Sequence, residues 1–134
     1  MVNPYSGPER RKAERVDAAF TLTYSIEKPV TLRIQLGWED NIDALMLDLS
    51  ELGMAIVTKH DIPSTTELYM KFIIINFYSE GDKRIYHMEI VGEVVSNLRR
   101  PDGSHRLGIR FTKISDADKQ AIRDFVICRK LHPF

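Results

Sequence analysis

Leu45-Met46-Leu47-Asp48-Leu49-Ser50-Glu51-Leu52-Gly53-Met54-Ala55-Ile56-Val57 carries two short apolar runs on either side of a polar connection. Leu45-Met46-Leu47 leads into Asp48, and Met54 to Val57 resume directly after Gly53. Asp, Ser and Gly are turn formers, so the segment predicts one strand, a tight connection and a second strand. Its Asp-x-Ser-x-x-Gly pattern also places a carboxylate and a hydroxyl beside that connection.

The pattern continues on both sides. Upstream, Phe20, Leu22, Tyr24 and Ile26 alternate with polar residues, and so do Val30, Leu32, Ile34, Leu36 and Trp38. Both read as half-buried strands, with Glu27-Lys28-Pro29 short enough for a hairpin between them. This leaves room for an additional hairpin between residues 20 and 38. Downstream, Leu68 to Phe77 is nearly continuous in apolar residues, which predicts a strand covered on both faces. Ser79-Glu80-Gly81-Asp82 marks a turn into a strand from Ile85 to Val95, and Pro101-Asp102-Gly103 a turn into Arg106 to Phe111.

From Ser115 the period changes. Ser115 and Asp118 have capping-box spacing, with Asp in place of the usual Glu, and Asp116 and Asp118 suit the positive end of a helix dipole. Ala121, Ile122, Phe125 and Val126 share one helical face, while Arg129 and Lys130 sit near the negative end. The fold class is therefore all-β dominated. It is a six- to seven-stranded antiparallel β-barrel with a C-terminal α-helix over about residues 115–131.

Bulk properties bound the function. At 134 residues the chain is about one domain, and 43% hydrophobic with 28% charged residues is an ordinary globular balance. Lys+Arg and Asp+Glu are equal at 19 each. A nucleic-acid polymer binder usually has a basic excess, so no such partner is expected. The single cysteine, Cys128, excludes an internal disulfide and any multi-cysteine zinc site, and suits a reducing cytoplasm. The four histidines lack ligand spacing, so no metal or cofactor is expected. No Walker, Rossmann or Gly-x-Ser-x-Gly pattern occurs, so no catalytic residue is assigned and an enzyme is the least favoured class. Residues 1–15 show no apolar signal region, and the most apolar stretch, interrupted by Lys71, is too short to span a membrane.

A second motif lies before the first strand. Arg11-x-x-x-Arg15, within Glu9-Arg10-Arg11-Lys12-Ala13-Glu14-Arg15-Val16, is weak alone, as an exposed basic run is usually a solvated arm. Together with Asp48-x-Ser50-x-x-Gly53, in this order, it is a coincidence on the order of one per cent. Guanidinium groups pair bidentately with phosphate oxygens or with the O6/N7 edge of guanine, and stack on purines. A carboxylate accepts from guanine's N1–H and N2–H. A glycine lets the backbone approach closely or take a positive φ. The set suits a guanine nucleotide with exposed phosphodiesters.

These two motifs resemble the signatures of PilZ domains. Glu89-Ile90-Val91-Gly92-Glu93-Val94-Val95 and Leu107-Gly108-Ile109-Arg110-Phe111, followed by Ile114-Ser115 and the helix, are similar to further landmarks of that family. The resemblance implies a six-stranded barrel with a flexible arm over residues 1–15 and the barrel and helix over 16–134. It implies cyclic di-GMP as ligand on the outer face, in bacterial second-messenger signalling through a downstream protein partner. Arg11 and Arg15 would hold phosphates and guanine, Asp48 and Ser50 would read base edges, and Gly53 would shape the turn. Arg10 adds a third guanidinium that favours a stacked ligand dimer. The competing expectations are an interaction module of the same fold working without nucleotide, and a small barrel stacking single-stranded nucleic acid.

Overall fold

The computed structural model describes residues 14–37, 40–76 and 85–132. In chain order the elements are β1 (Val16–Asp17), β2 (Thr21–Lys28), α1 (Val30–Gln35), β3 (Ile42–Ser50), β4 (Gly53–Thr58), β5 (Glu67–Ile75), β6 (Ile85–Arg99), β7 (His105–Lys113) and α2 (Asp116–Leu131). Antiparallel pairing runs β3–β2–β5–β6–β7–β4 and back to β3, closing a six-stranded barrel, with β1 outside that ring against β3. Closure removes the free strand edges that would otherwise template association.

Period-two alternation fills the interior. Leu22, Tyr24 and Ile26 of β2, Leu68, Met70 and Ile74 of β5, Met88, Ile90 and Val94 of β6, and Leu107 and Ile109 of β7 are all buried. Tyr24 keeps its hydroxyl satisfied inside by a 2.7 Å hydrogen bond with Thr58 Oγ1, as a buried phenol requires. The barrel end beside β1 is covered by α2, which buries Ala121, Ile122, Phe125 and Val126, with the Phe125 and Phe20 rings 5.5 Å apart. Ser115 caps this helix by accepting from the Asp118 amide at 3.0 Å. Ser115→Ala is expected to lower stability by about 1 kcal/mol, read by urea unfolding, and an unchanged midpoint would show the cap to be idle.

Two expectations are corrected. Val30–Trp38 is not a strand of a further hairpin: its first part is the helix α1, and Trp38 lies outside the described residues. Leu32 and Leu36, four apart, both pack against the core, while Val30 and Ile34 point outward. This is helical spacing that alternation alone cannot distinguish from a strand. Pro29 opens the helix, its carbonyl accepting from Leu32 and Arg33, and Gly37 ends it at φ 75° with its amide on Ile34 O. The second correction concerns β5, which is covered on one face only. Lys71 and Ile73 lie outside while Leu68, Met70, Phe72 and Ile74 lie inside. An antiparallel barrel has a single core face, so an apolar outward residue there is simply uncovered. Phe77 and the Ser79–Asp82 turn lie outside the described residues.

The Pro101-Asp102-Gly103 turn forms as read. Gly103 takes φ 87°, and Asp102 Oδ1 accepts from the Ser104 amide and hydroxyl. Those bonds hold the Asp102 carboxyl below its ordinary value.

Candidate ligand site on the outer wall

A bulge decides where Asp48 points. Along β3, Ile42, Ala44 and Met46 face inward, and unbroken alternation would send residue 48 inward too. The β3–β4 register instead shifts between Met46 and Asp48, so Leu49 takes the next core position. One inserted residue flips everything after it. The Asp48 carboxylate therefore stands on the outer wall.

There it gathers partners from three elements. Arg15, just before β1, donates from Nη1 to Asp48 Oδ1 at 2.8 Å, across 33 positions of sequence. The Ala55 amide of β4 donates to the same oxygen at 3.1 Å. Arg106 of β7 reaches Oδ2 at 3.5 Å, the outer limit of a hydrogen bond. Two guanidinium groups against one carboxylate leave this patch net positive, the sign that attracts an anion.

Strand pairing lays out the surrounding wall. Asp48, Ala55, Gly108 and Ser96 form one line across β3, β4, β7 and β6. On one side runs Ser50, Gly53, Arg110 and Glu93; on the other, Leu45, Val57, Arg106 and Leu98. Arg110 pairs with Glu93, and Arg123 of α2 pairs with Glu51 in the β3–β4 turn at 2.7 Å.

Ser50 and Gly53 build the turn itself. The Ser50 hydroxyl is buried, accepts from the Leu52 and Gly53 amides at 3.2 Å, and lies 3.3 Å from the Gly53 carbonyl. A Cβ on Gly53 would lie 2.1 Å from the Ile109 carbonyl oxygen, so the residue is glycine because β7 backbone passes against it. Its φ is not positive; close approach, rather than turn conformation, fixes the choice. Of the six residues singled out from sequence, Arg15 and Asp48 come together, Ser50 and Gly53 shape the connection beside them, and Arg10 and Arg11 lie outside the described residues. Sequence reading missed Arg106. The available signal was Arg106-Leu107-Gly108-Ile109-Arg110, whose alternation sends both arginines outward as Leu107 and Ile109 go in.

Among the described residues no His/Cys/Asp/Glu group is arranged to hold a metal ion, and no helix is long and apolar enough to cross a membrane.

A small closed barrel with a terminal helix at one end, and its charged cluster on the outer wall at the β3–β4 turn, defines the structural class. The family model for the PilZ domain matches residues 9–128, and the chain belongs to that family. A search of curated proteins found no match. Among solved structures, the chain is similar to the Bacillus subtilis inhibitor of motility (MotI/DgrA), at 20% identity and TM-score 0.70, covering 92% of this chain and 53% of that one. It is also similar to Escherichia coli YcgR in complex with c-di-GMP, at 14% identity and TM-score 0.64, covering 92% and 47%. The PilZ domain of YcgR with c-di-GMP matches at 13% identity and TM-score 0.58, covering 91% and 92%. The chain thus spans about half the length of the first two. At these identities the likeness is one of fold.

Proposed function

We propose that this chain is a receptor domain for cyclic di-GMP, a binding module rather than an enzyme, working in the cytoplasm. The observation that carries the reading is the Arg15–Asp48 pair on the outer wall, assembled from the two family motifs at 2.8 Å. Membership of the PilZ family and the c-di-GMP complexes among its structural neighbours support it.

In this reading Asp48 accepts from guanine N1–H and N2–H, and Arg15, kept beside Oδ1, presents its guanidinium face and other N–H donors to the purine or a phosphate. Ser50 keeps the turn rigid, a positioning role. Residues 1–15 act as an arm that brings Arg10 and Arg11 over the ligand, so binding creates a new surface for a protein partner. Differential contact with the ligand drives that change.

The test is a thermal-shift screen with cyclic di-GMP, GTP and a single-stranded oligonucleotide. A ligand at about 100 times its Kd adds roughly 2.7 kcal/mol to folded-state stability, so cyclic di-GMP alone should raise the midpoint clearly. No shift with cyclic di-GMP at millimolar concentration overturns the reading. It would favour the nucleotide-free interaction module, with which the engaged state of Asp48 and Ser50 is also compatible. Calorimetry then tests Arg10: two ligand molecules per protomer are expected, and one molecule rules out the stacked dimer.

A further inference from the structure

We infer that Arg106, on the wall of the barrel and outside both sequence motifs, is a further ligand-contacting residue that takes a phosphodiester of the bound nucleotide; this rests on the cyclic di-GMP reading above. Three observations carry it. First, the two oxygens of Asp48 are unequally held. Oδ1 is fixed by Arg15 at 2.8 Å and the Ala55 amide at 3.1 Å, whereas the contact found on Oδ2 is Arg106 at 3.5 Å. An incoming guanine edge, presenting paired N–H donors, competes most easily for the loosely held oxygen. Arg106 is the partner it displaces.

Second, the displaced guanidinium stays beside the ligand. Arg106 sits one register step from the Asp48–Ala55–Gly108 line, and its side chain is 44% exposed. Third, the wall it borders carries only small side chains. Gly108 adds no side chain, and Ala55 only a methyl, between Asp48 and Ser96. With Ser96 Oγ accepting from the Gly108 amide at 3.2 Å, the low wall between Asp48 and Ser96 admits a flat base with Asp48 at one end and the Arg106 fork at its side. Arg110, four residues further along β7, is different because Glu93 already neutralises it. A permanently charged fork freed from its carboxylate finds an anionic equivalent in a phosphodiester.

The test is calorimetric titration of cyclic di-GMP into the full chain as wild type, Arg106→Ala, Arg106→Lys, Arg110→Ala and Asp48→Asn, and into the Asp48→Asn, Arg106→Ala double variant. Arg106→Ala should weaken binding about ten- to hundredfold, the range for one charge-assisted hydrogen bond. Arg106→Lys should recover part of the loss, and Arg110→Ala should stay within about threefold of wild type. The loss on removing Arg106 should persist in the Asp48→Asn background, because the contact is made to ligand. Thermal midpoints without ligand should match, since the side chain lies outside the core. Wild-type-like binding by Arg106→Ala overturns the inference. So does a loss that vanishes in the Asp48→Asn background, which would make Arg106 a positioning residue acting through Asp48. If the wild type itself binds no cyclic di-GMP, the functional reading falls and this inference with it; if the wild type binds, only the role of Arg106 is at stake.

Discussion

Gly53→Ala should unfold about 10 °C below the wild type, a loss of about 3 kcal/mol for a chain of this size. The added Cβ would lie 2.1 Å from the Ile109 carbonyl oxygen and 3.3 Å from Arg110 Cα. Both are backbone atoms of a paired strand, so no rotamer change relieves the clash. Relief requires β4 to separate from β7, which strains the Gly53–Arg110 pairing and the 2.9 Å bond from the Phe111 amide to Leu52 O. It also disturbs the amides that the Ser50 hydroxyl holds. Overpacking usually costs about 1–3 kcal/mol, and a backbone obstacle belongs at the top of that range. Gly103→Ala is the matched comparison. Its φ of 87° disfavours a side chain, but nothing lies within 4 Å of the added atom, so the loss should be only about 1–2 kcal/mol. Thermal and urea unfolding of the three proteins decide the matter. Equal midpoints for Gly53→Ala and wild type would mean that β4 and β7 do not approach as closely as described.

The contrast between these two glycines shows what a sequence can express. Gly103 stands in a Pro-Asp-Gly turn, a local signal, and was legible. Gly53 was legible as part of a motif, but its reason is a strand more than fifty residues away, set by barrel closure. Asp48 is similar: local alternation points it inward, and only the bulge after Met46, visible through pairing with Ile56 and Ala55, turns it out. Strands β2, β5, β6 and β7 and the final helix were readable from apolar patterns that run over many residues, with Ser115 and Asp118 marking the helix start, whereas β1, two residues long, offers no period to read. α1 was misread because Leu32, Ile34 and Leu36 satisfy a period of two while Leu32 and Leu36 also satisfy i, i+4. In six helical residues no second turn exists to break the tie. Arg106 stayed hidden for a topological reason. Its neighbours Asp48 and Val57 come from other strands, and no spacing along the chain encodes that register.

Removing the Asp48 carboxylate should weaken binding strongly. Asp48→Ala deletes the acceptor for the Ala55 amide and leaves Arg15 and Arg106 facing each other without their shared counter-charge. Affinity for cyclic di-GMP should fall about tenfold to hundredfold, since a charged acceptor contributes roughly 1.5–3 kcal/mol per hydrogen bond. Part of that loss would reflect disturbance of the site before ligand arrives, so Asp48→Asn is the sharper variant. Its amide oxygen can still accept from Ala55, which keeps the bulged strand in place. Its NH2 group is a donor where a guanine edge needs an acceptor, and it brings no negative charge to orient Arg15. Asp48→Asn should therefore melt within a few degrees of wild type yet bind about tenfold or more weakly, and Arg15→Ala should behave alike. Guanine preference should weaken too, because a carboxylate accepting from both N1–H and N2–H distinguishes guanine from adenine. Competition between cyclic di-GMP and cyclic di-AMP measures that preference directly. Wild-type affinity and selectivity in both Asp48→Asn and Arg15→Ala would place the ligand elsewhere on the barrel, because no guanine edge could then depend on this carboxylate.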